Sequence, residues 1–337
     1  MEQTNGKSTP SKYTSADLKT MQSWPLERKI QVAQTRILEW GQHWGEDKIY
    51  VSFSGGKDST VLLDLVRRVY HQCPAVFVDT GLEYPEIRKF VKTIQNVTWI
   101  KPKLRFDEII EKYGYPVVSK ETANRLYYAQ NGKQWAINLM NGLTADGSVP
   151  HVYAQRTFLK WNFLINAPFK ISGNCCNVMK KSPAHKYEKE TGRHPIIGTM
   201  ACESTSRRKR WLQEGCNAFN NKNPSSKPIS FWTEQDILEY ISRYAIPYAS
   251  IYGDIIQDKH GKYTTTGEDR TGCMFCMFGA HLEKQPNRFQ RMQLTHPKQW
   301  EYCMKPVEQG GLGLSIPLDY IGCPWKNEEM INEEDVA

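Results

Sequence analysis

No run of eighteen or more apolar residues occurs in this chain of 337, so it offers no segment for a membrane-spanning helix. The opening MEQTNGKSTPSKYTS has no apolar stretch of the kind a secretory leader needs, and the expected compartment is the cytoplasm. Internal repeats and low-complexity tracts are absent, which excludes solenoids and repeat arrays. The phosphate-loop pattern G-x-x-x-x-G-K-[ST] is absent too. Charge is not extreme. A net +8 suits an anionic partner, and nucleotides, sulfate and nucleic acid all satisfy it, as does a polyanionic small molecule on a mildly basic enzyme. A 39% hydrophobic content is ordinary for a soluble protein, and the length allows one large domain or two modest ones.

Residues 1–14 read as a solvated, disordered tail rich in Ser, Thr, Lys and Gly. Over 15–47, Leu26, Ile30, Ala33, Ile37 and Trp40 give one apolar face at helical spacing, cut early by Pro25, which predicts an N-terminal packing helix. The short β-rich runs IYVSF, AVFVDT, VTWIK and HPIIGT begin at Ile49, Ala75, Val97 and His194 and are separated by helical segments. This alternation predicts an α/β fold, a doubly wound, mostly parallel sheet covered on both faces, with ligands at the carboxyl ends of its strands. Residues 48–253 are expected to form that nucleotide-binding domain. A basic, aromatic, helical insert interrupts it at about 120–170, and a cysteine-bearing region with a tail occupies 254–337. Thr233, with Glu234 and Asp236 behind it, marks the start of a further helix.

The stretch SGGKDS, Ser54 to Ser59, ends the first strand and feeds a helix. Such a turn gathers backbone N–H groups where the helix N-terminus also favours negative charge, so phosphate or sulfate belongs there. Gly55 and Gly56 permit close approach of the backbone, Lys57 adds a cation, and Ser54, Asp58 and Ser59 complete the cradle. Asp79 closes the second strand, where a carboxylate can meet an adenine amino group, a ribose or a metal. Arg207, Arg208 and Arg210, with Lys209, form a cationic run suited to phosphate or sulfate, and equally a pattern that a solvated helix face shows.

SGGKDS resembles the PP-loop of ATP pyrophosphatases and sulfonucleotide reductases. VFVDTGLEYPE, with Asp79, Thr80 and Gly81, is similar to the segment after the second strand in phosphoadenylyl sulfate reductases. GTMACESTSRRKR resembles that family's Arg-bearing anion element, with Met200 where an Arg is usual. KPISFWTEQDILEYISRYAIPYASIY is similar to its Pro-Leu-x-x-Trp stretch. The resemblance covers roughly residues 48–280 and implies the adenine-nucleotide α-hydrolase (PP-loop) fold. It implies an adenine nucleotide as ligand, namely ATP, adenylyl sulfate or phosphoadenylyl sulfate, and it admits Mg2+ and a homo-oligomer.

Cys175 and Cys176 are adjacent, and Cys273 and Cys276 form a C-x-x-C pair. In a reducing compartment such cysteines are metal ligands, redox dithiols or buried thiols rather than a disulfide framework. Neighbouring residues splay their side chains, which suits separate corners of a cluster better than one tetrahedral ion. The arrangement resembles the 4Fe-4S set of assimilatory adenylyl sulfate reductases, with Lys180 and Pro183 following the first pair as the family's basic residue and Pro do. Cys73, before an apolar strand, reads as core, and Cys202 as packing within the anion element.

The family's C-terminal Glu-Cys-Gly-(Ile/Leu)-His is missing. Its nearest counterpart is Cys323 in DYIGCPWKN, on what reads as a flexible tail with only Lys326 as a neighbouring cation. The resemblance implies a cysteine that attacks sulfur to give an S-sulfocysteine, which a thioredoxin-like reductant releases as sulfite, and Cys323 with Lys57 is the catalytic expectation. The missing motif keeps a second expectation open. In ATP-dependent sulfur insertion into DNA or tRNA, a sulfur donor would be the partner and Arg125, Tyr127, Tyr128, Lys133, Trp135, Arg156, Lys160 and Trp161 would grip a strand. A helical lid or dimer surface explains the same insert. A nucleotide-binding regulatory protein without turnover is the third class.

Overall fold

The computed structural model describes residues 11–327. The first ten residues of the tail expected over 1–14, and the closing INEEDVA, lie outside them. Within the rest of the tail, Thr14 caps the first helix through its side chain, and the Tyr13 ring lies 5.0 Å from that of Trp211.

In chain order the elements are α1 (Ser15–Gln22), α2 (Leu26–Trp44), β1 (Ile49–Ser52), α3 (Lys57–Val69), β2 (Ala75–Val78), α4 (Pro85–Thr93) and β3 (Val97–Ile100). Then come α5 (Phe106–Tyr113), α6 (Lys120–Gln130), α7 (Gln134–Met140), α8 (Val152–Thr157) and α9 (Ser182–Thr191). After them lie β4 (His194–Ile197), α10 (Thr205–Glu214), β5 (Asn217–Ala218), β6 (Ser225–Ser226), α11 (Glu234–Tyr244), β7 (Ile255–Gln257) and β8 (Tyr263–Thr265). The last helices are α12 (Arg288–Thr295), α13 (Pro297–Met304) and α14 (Ser315–Tyr320). The single N-terminal helix expected over 15–47 is two, because Pro25 lacks the N–H that would carry α1 into α2.

The chain divides into two compact units. The first comprises residues up to Asp79, Glu83–Lys101 and Pro183–Thr271; the second comprises Thr80–Leu82, Pro102–Ser182 and the chain from Gly272. These divisions differ from the boundary read after residue 253. The segment 254–271 folds with the nucleotide unit, where β7 and β8 pair as an antiparallel hairpin. The helical insert joins the cysteine-bearing region. Contacts between segments far apart in sequence set this division, and composition along the chain does not record them.

The first unit is built on a six-stranded sheet of order β3-β2-β1-β4-β6-β5, parallel except for β5 against β6. Four of its strands are the β-rich runs of the sequence; β1 and β2 are largely buried and β4 is buried at its centre, because helical crossovers cover both faces of a parallel sheet, while the edge strand β3 is half-exposed. The two-residue β5 and β6 have no apolar run to announce them. Strand order reverses between β1 and β4, and the glycine turn leaves β1 at that switch point. Lys29 of α2 is 2% exposed and meets Asp236 of α11 at 2.7 Å. The same carboxylate caps α11, accepting from the Thr233 amide at 2.6 Å, so one side chain sets both the start of α11 and its docking on α2.

The second unit is mostly helical. Helices α6, α7 and α8 pack with the 3-10 stretch Leu159–Asn166, and α12 packs on α13. Its interior holds Leu126, Met140, Phe158, Leu164, Phe289 and Leu318. Among the described residues, no helix is long and apolar enough to cross a membrane.

Candidate functional site

The glycine turn is closed by its own side chains. Ser59 Oγ donates to the Gly56 carbonyl at 2.9 Å and accepts from the Ser54 amide at 3.2 Å, while Thr60 Oγ1 donates to the Gly56 carbonyl at 3.0 Å. Gly55 has φ +72°, and a Cβ there would stand 2.6 Å from Val91 Cγ2 and 2.8 Å from Ile87 Cγ2 of α4. Backbone conformation and packing therefore both require glycine. At Gly198, just after β4, a Cβ would come 3.3 Å from the Asp58 carbonyl, a tight contact that any side chain there would have to relieve by a shift of a few tenths of an ångström.

Lys57, the first residue of α3, is 4% exposed. Its amide donates to the Tyr252 hydroxyl at 3.1 Å, and its ammonium donates to the Asp269 carbonyl at 2.5 Å and pairs with Glu234 at 3.2 Å. Tyr252 is tied in turn to Thr271 Oγ1 at 2.5 Å. The segment after β8 thus straps the turn from within the same unit. Asp58 Oδ1 is buried without a hydrogen-bond partner. Burial pushes the Asp58 carboxyl up to about 6; Lys57 and Arg270 oppose that shift, and Glu203 and Glu234 add to it. Arg270 is exposed, and its charge acts on both Asp58 and Cys202.

The other nucleotide-site candidates divide. Asp79 is buried at the end of β2 and paired with Arg88 of α4 at 3.0 Å. Thr80 and Gly81 belong to the second unit, where Thr80 Oγ1 accepts from the Leu82 amide at 3.2 Å. Arg207, on the first turn of α10, pairs with Glu203. Arg208 lines a cavity with Lys19 of α1 and Cys202, so in this structure the two arginines point to different partners. Cys202, expected to be packed, is exposed, and its thiol is pushed up by partial burial and Glu203.

Four further groups escaped the sequence reading: Tyr252, Asp269, Arg270 and Glu234. The first closes the Ile-Pro-Tyr…Ile-Tyr stretch and the next two precede Cys273 in EDRTGC, which are the signals that mark them. Glu234 counts in sequence only as an acidic residue of a first turn.

In the second unit, Cys175, Cys176, Cys273 and Cys276 line one pocket with Leu82, Phe106 and Met179. Cys175 and Cys176 sulfurs are 4.0 Å apart. The Cys176 thiol is held below its ordinary range by the hydrogen bond from Cys175, with Lys120, Lys180 and Lys181 adding positive charge. Among the described residues, no three His, Cys, Asp or Glu side chains converge as ligands of a single ion would. These four thiols around one pocket, with Lys180 among its lining, are the residues that could hold a metal group in this unit.

Cys323 does not sit on a flexible tail. It follows α14, is 2% exposed, donates its amide to the Leu318 carbonyl at 2.9 Å and accepts from Asn287 Nδ2 at 3.9 Å. Burial pushes its thiol up to about 11, and Glu283 adds to the shift. An attacking cysteine needs the opposite setting. The apolar residues Pro317, Leu318 and Ile321 just ahead of it, all buried, are the sequence signal for this burial.

A doubly wound sheet with a Ser-Gly-Gly-Lys-Asp-Ser turn at its switch point defines the PP-loop class of adenine-nucleotide proteins. Residues 48–134 and 148–277 match the profile of the phosphoadenosine phosphosulfate reductase domain, and the chain belongs to that family. An adenosine 5'-phosphosulfate reductase of Anoxybacillus flavithermus is 23% identical over 274 residues, covering 81% of this chain and 90% of the relative. One from Staphylococcus haemolyticus is 23% identical over 64% of this chain and 70% of its own length. Among solved structures, the phosphoadenylyl-sulfate reductase of Candida auris in a phosphate complex aligns at 15% identity with a TM-score of 0.38, over 75% of this chain and 99% of that one.

Proposed function

We propose that this chain is a sulfonucleotide reductase-type enzyme, acting on adenylyl sulfate or phosphoadenylyl sulfate with the anionic group held at Ser54–Ser59. The observation that carries the reading is the closed turn, in which Gly55 is required by both φ and packing while Lys57 stands at the head of α3. Membership in the phosphoadenosine phosphosulfate reductase domain family and the names of the relatives support the substrate class. Asp79 contacts the nucleoside and Arg270 supplies positive charge at the turn, a role the sequence had assigned to Arg207 and Arg208. Cys175, Cys176, Cys273 and Cys276 would hold a 4Fe-4S cluster, which would act by tying the two cysteine stretches together and by its electrostatics when bound.

In the reduction, a thiolate attacks the sulfate sulfur. An S–S bond forms, the bond from sulfur to the bridging oxygen breaks, and AMP or its 3'-phosphorylated form leaves with the electron pair. A second thiol of a thioredoxin-like reductant then releases sulfite and leaves a disulfide, the reductant supplying two electrons. Cys323 as described is shielded from this attack, so we assign the attacking thiol to the reductant.

The shielding also favours a second reading, ATP-dependent sulfur insertion into nucleic acid. There a substrate atom attacks the α-phosphorus, pyrophosphate leaves, and a sulfur donor displaces AMP. Anaerobically purified protein with adenylyl sulfate, its 3'-phosphorylated form, or ATP plus nucleic acid separates the two when sulfite, pyrophosphate and AMP are measured. Sulfite formed with a dithiol reductant, retained in Cys323→Ser and lost in Lys57→Ala, is the expected result. Pyrophosphate release that requires DNA or RNA, without sulfite from either sulfonucleotide, overturns the first reading in favour of the second.

A further inference from the structure

Charge is concentrated in one part of the chain. Between Lys120 and Ser182 there are eight Lys and Arg against only Glu121 and Asp146, a net +6 within a chain whose total is +8. Lys133, Arg156 and Lys160 are exposed and have no carboxylate partner among the described residues. Sharing the same helical cluster are large aromatic side chains that the core does not take up. Tyr128 is 42% exposed, Trp135 36% and Phe163 43%.

These rings and cations are set against one another. The Arg125 guanidinium lies 5.5 Å from the Trp135 ring, which is 5.2 Å from Tyr128, and Lys160 lies 5.2 Å from the ring of Trp161. Trp161 neighbours Phe163 at 6.1 Å. Gln130 of α6 donates to the Leu164 carbonyl at 3.3 Å, fixing the helix that carries Tyr128 to the stretch that carries Lys160 and Phe163. A solvated charged face does not need an exposed indole beside exposed Tyr and Phe rings, and an apolar dimer face does not need three cations without carboxylate partners. Cations that track phosphates, beside flat rings that stack on bases, are the two elements of single-strand recognition, and π-faces are sequence-tolerant.

We propose that the helical face of the second unit formed by α6, α7, α8 and the stretch Leu159–Asn166 binds single-stranded nucleic acid, through base stacking on Trp135 and its aromatic neighbours and phosphate pairing by Lys133, Arg156 and Lys160. The inference stands apart from the sulfonucleotide reading, because it concerns binding and uses none of the turn residues.

The test is fluorescence anisotropy with the full chain and a labelled oligothymidylate of about twenty residues, at about 50 and about 200 mM salt, with a duplex of equal length as comparison. The strand is expected to bind more tightly than the duplex, to quench tryptophan fluorescence, and to weaken steeply with salt. The Lys133→Glu, Lys160→Glu double variant is expected to lose about tenfold or more and to flatten the salt slope. Trp135→Ala is expected to lose roughly five- to a hundredfold, and Trp135→Phe to keep most of the affinity. Adenine-nucleotide affinity of these surface variants stays at the unsubstituted value, so a failure here is distinguishable from a failure at the turn. No strand binding at the lower salt overturns the proposal, as do equal affinities in all variants or tighter binding of duplex. A dimer that Trp135→Ala dissociates while strand affinity is unchanged overturns it in favour of a second copy of this chain.

Discussion

In the nucleotide unit, the six consecutive residues Ser54–Ser59, the last three of them the first turn of α3, make the turn, and the hydrogen bonds among its side chains span no more than five positions. In the second unit, the four thiols come from two stretches separated by residues 177–272, and the pocket exists only once both are folded. The first arrangement is contiguous in sequence and its backbone is fixed by steric necessity at Gly55, with Tyr252 and Asp269 bracing Lys57 from farther along the chain. The second is non-local, and a π-helical turn at Asn177–Lys181 follows directly on its first cysteine pair. Local sites tolerate remote change and fail on contact. Assembled sites fail when any contributing stretch is displaced.

Iron content should break or sustain that contrast most sharply. In anaerobically prepared protein, Cys273→Ser is expected to lose most of the bound iron, measured by colorimetric assay and visible absorbance. Cys323→Ser, outside the pocket, is expected to retain it; equal loss in both ends the assignment. Next in size is Lys57→Ala, which removes charge-assisted bonds each of about 1.5–3 kcal/mol and is expected to weaken nucleotide binding by roughly a hundredfold by calorimetry. Unchanged affinity there removes the turn from the site. Gly55→Ala tests steric necessity. A Cβ 2.6 Å from Val91 Cγ2 at φ +72° is expected to destabilise the unit by about 1–3 kcal/mol, read as a fall in the thermal midpoint.

The smallest effect is that of pH. The Asp58 carboxyl is raised from its ordinary 3.8 to about 6 by burial, so the folded state takes up a proton that the unfolded state binds only in more acid solution. Its stabilising contribution is complete below 3.8 and disappears as pH rises through about 6. Protonation also removes a negative charge from the first turn of α3, so nucleotide affinity is expected to increase as pH falls from 7 toward 5. Asp58→Asn is expected to abolish that pH dependence, and its persistence in the variant assigns the proton elsewhere.

Much of this was legible in the sequence because it is local. Four strands show as β-rich runs, the turn as Ser-Gly-Gly-Lys between strand and helix, and the α11 cap as Thr233 with Asp236. Other features depend on separation in sequence. Lys29 gives no sign of its partner 207 residues away. The residues 254–271 read as a polar excursion, yet they return to the turn through Tyr252, Asp269 and Thr271. Cys323 looked mobile because it lies near the chain end, while the apolar residues preceding it bury it against α12 through Asn287. The cationic run at 207–210 read as one clamp, but helical geometry sends Arg207 to Glu203 and Arg208 toward α1.

Because the Lys57 amide is already engaged by a phenol, and its ammonium by a carbonyl and a carboxylate, an incoming anion must compete with ligands the protein carries itself. Inorganic sulfate or phosphate has only its charge to offer in that exchange and gains little from it. A nucleotide brings adenine and ribose as well, and their added contacts can drive the displacement. On the proposed reading, the strap would act as a discriminator, setting a threshold that abundant free oxyanions fall below.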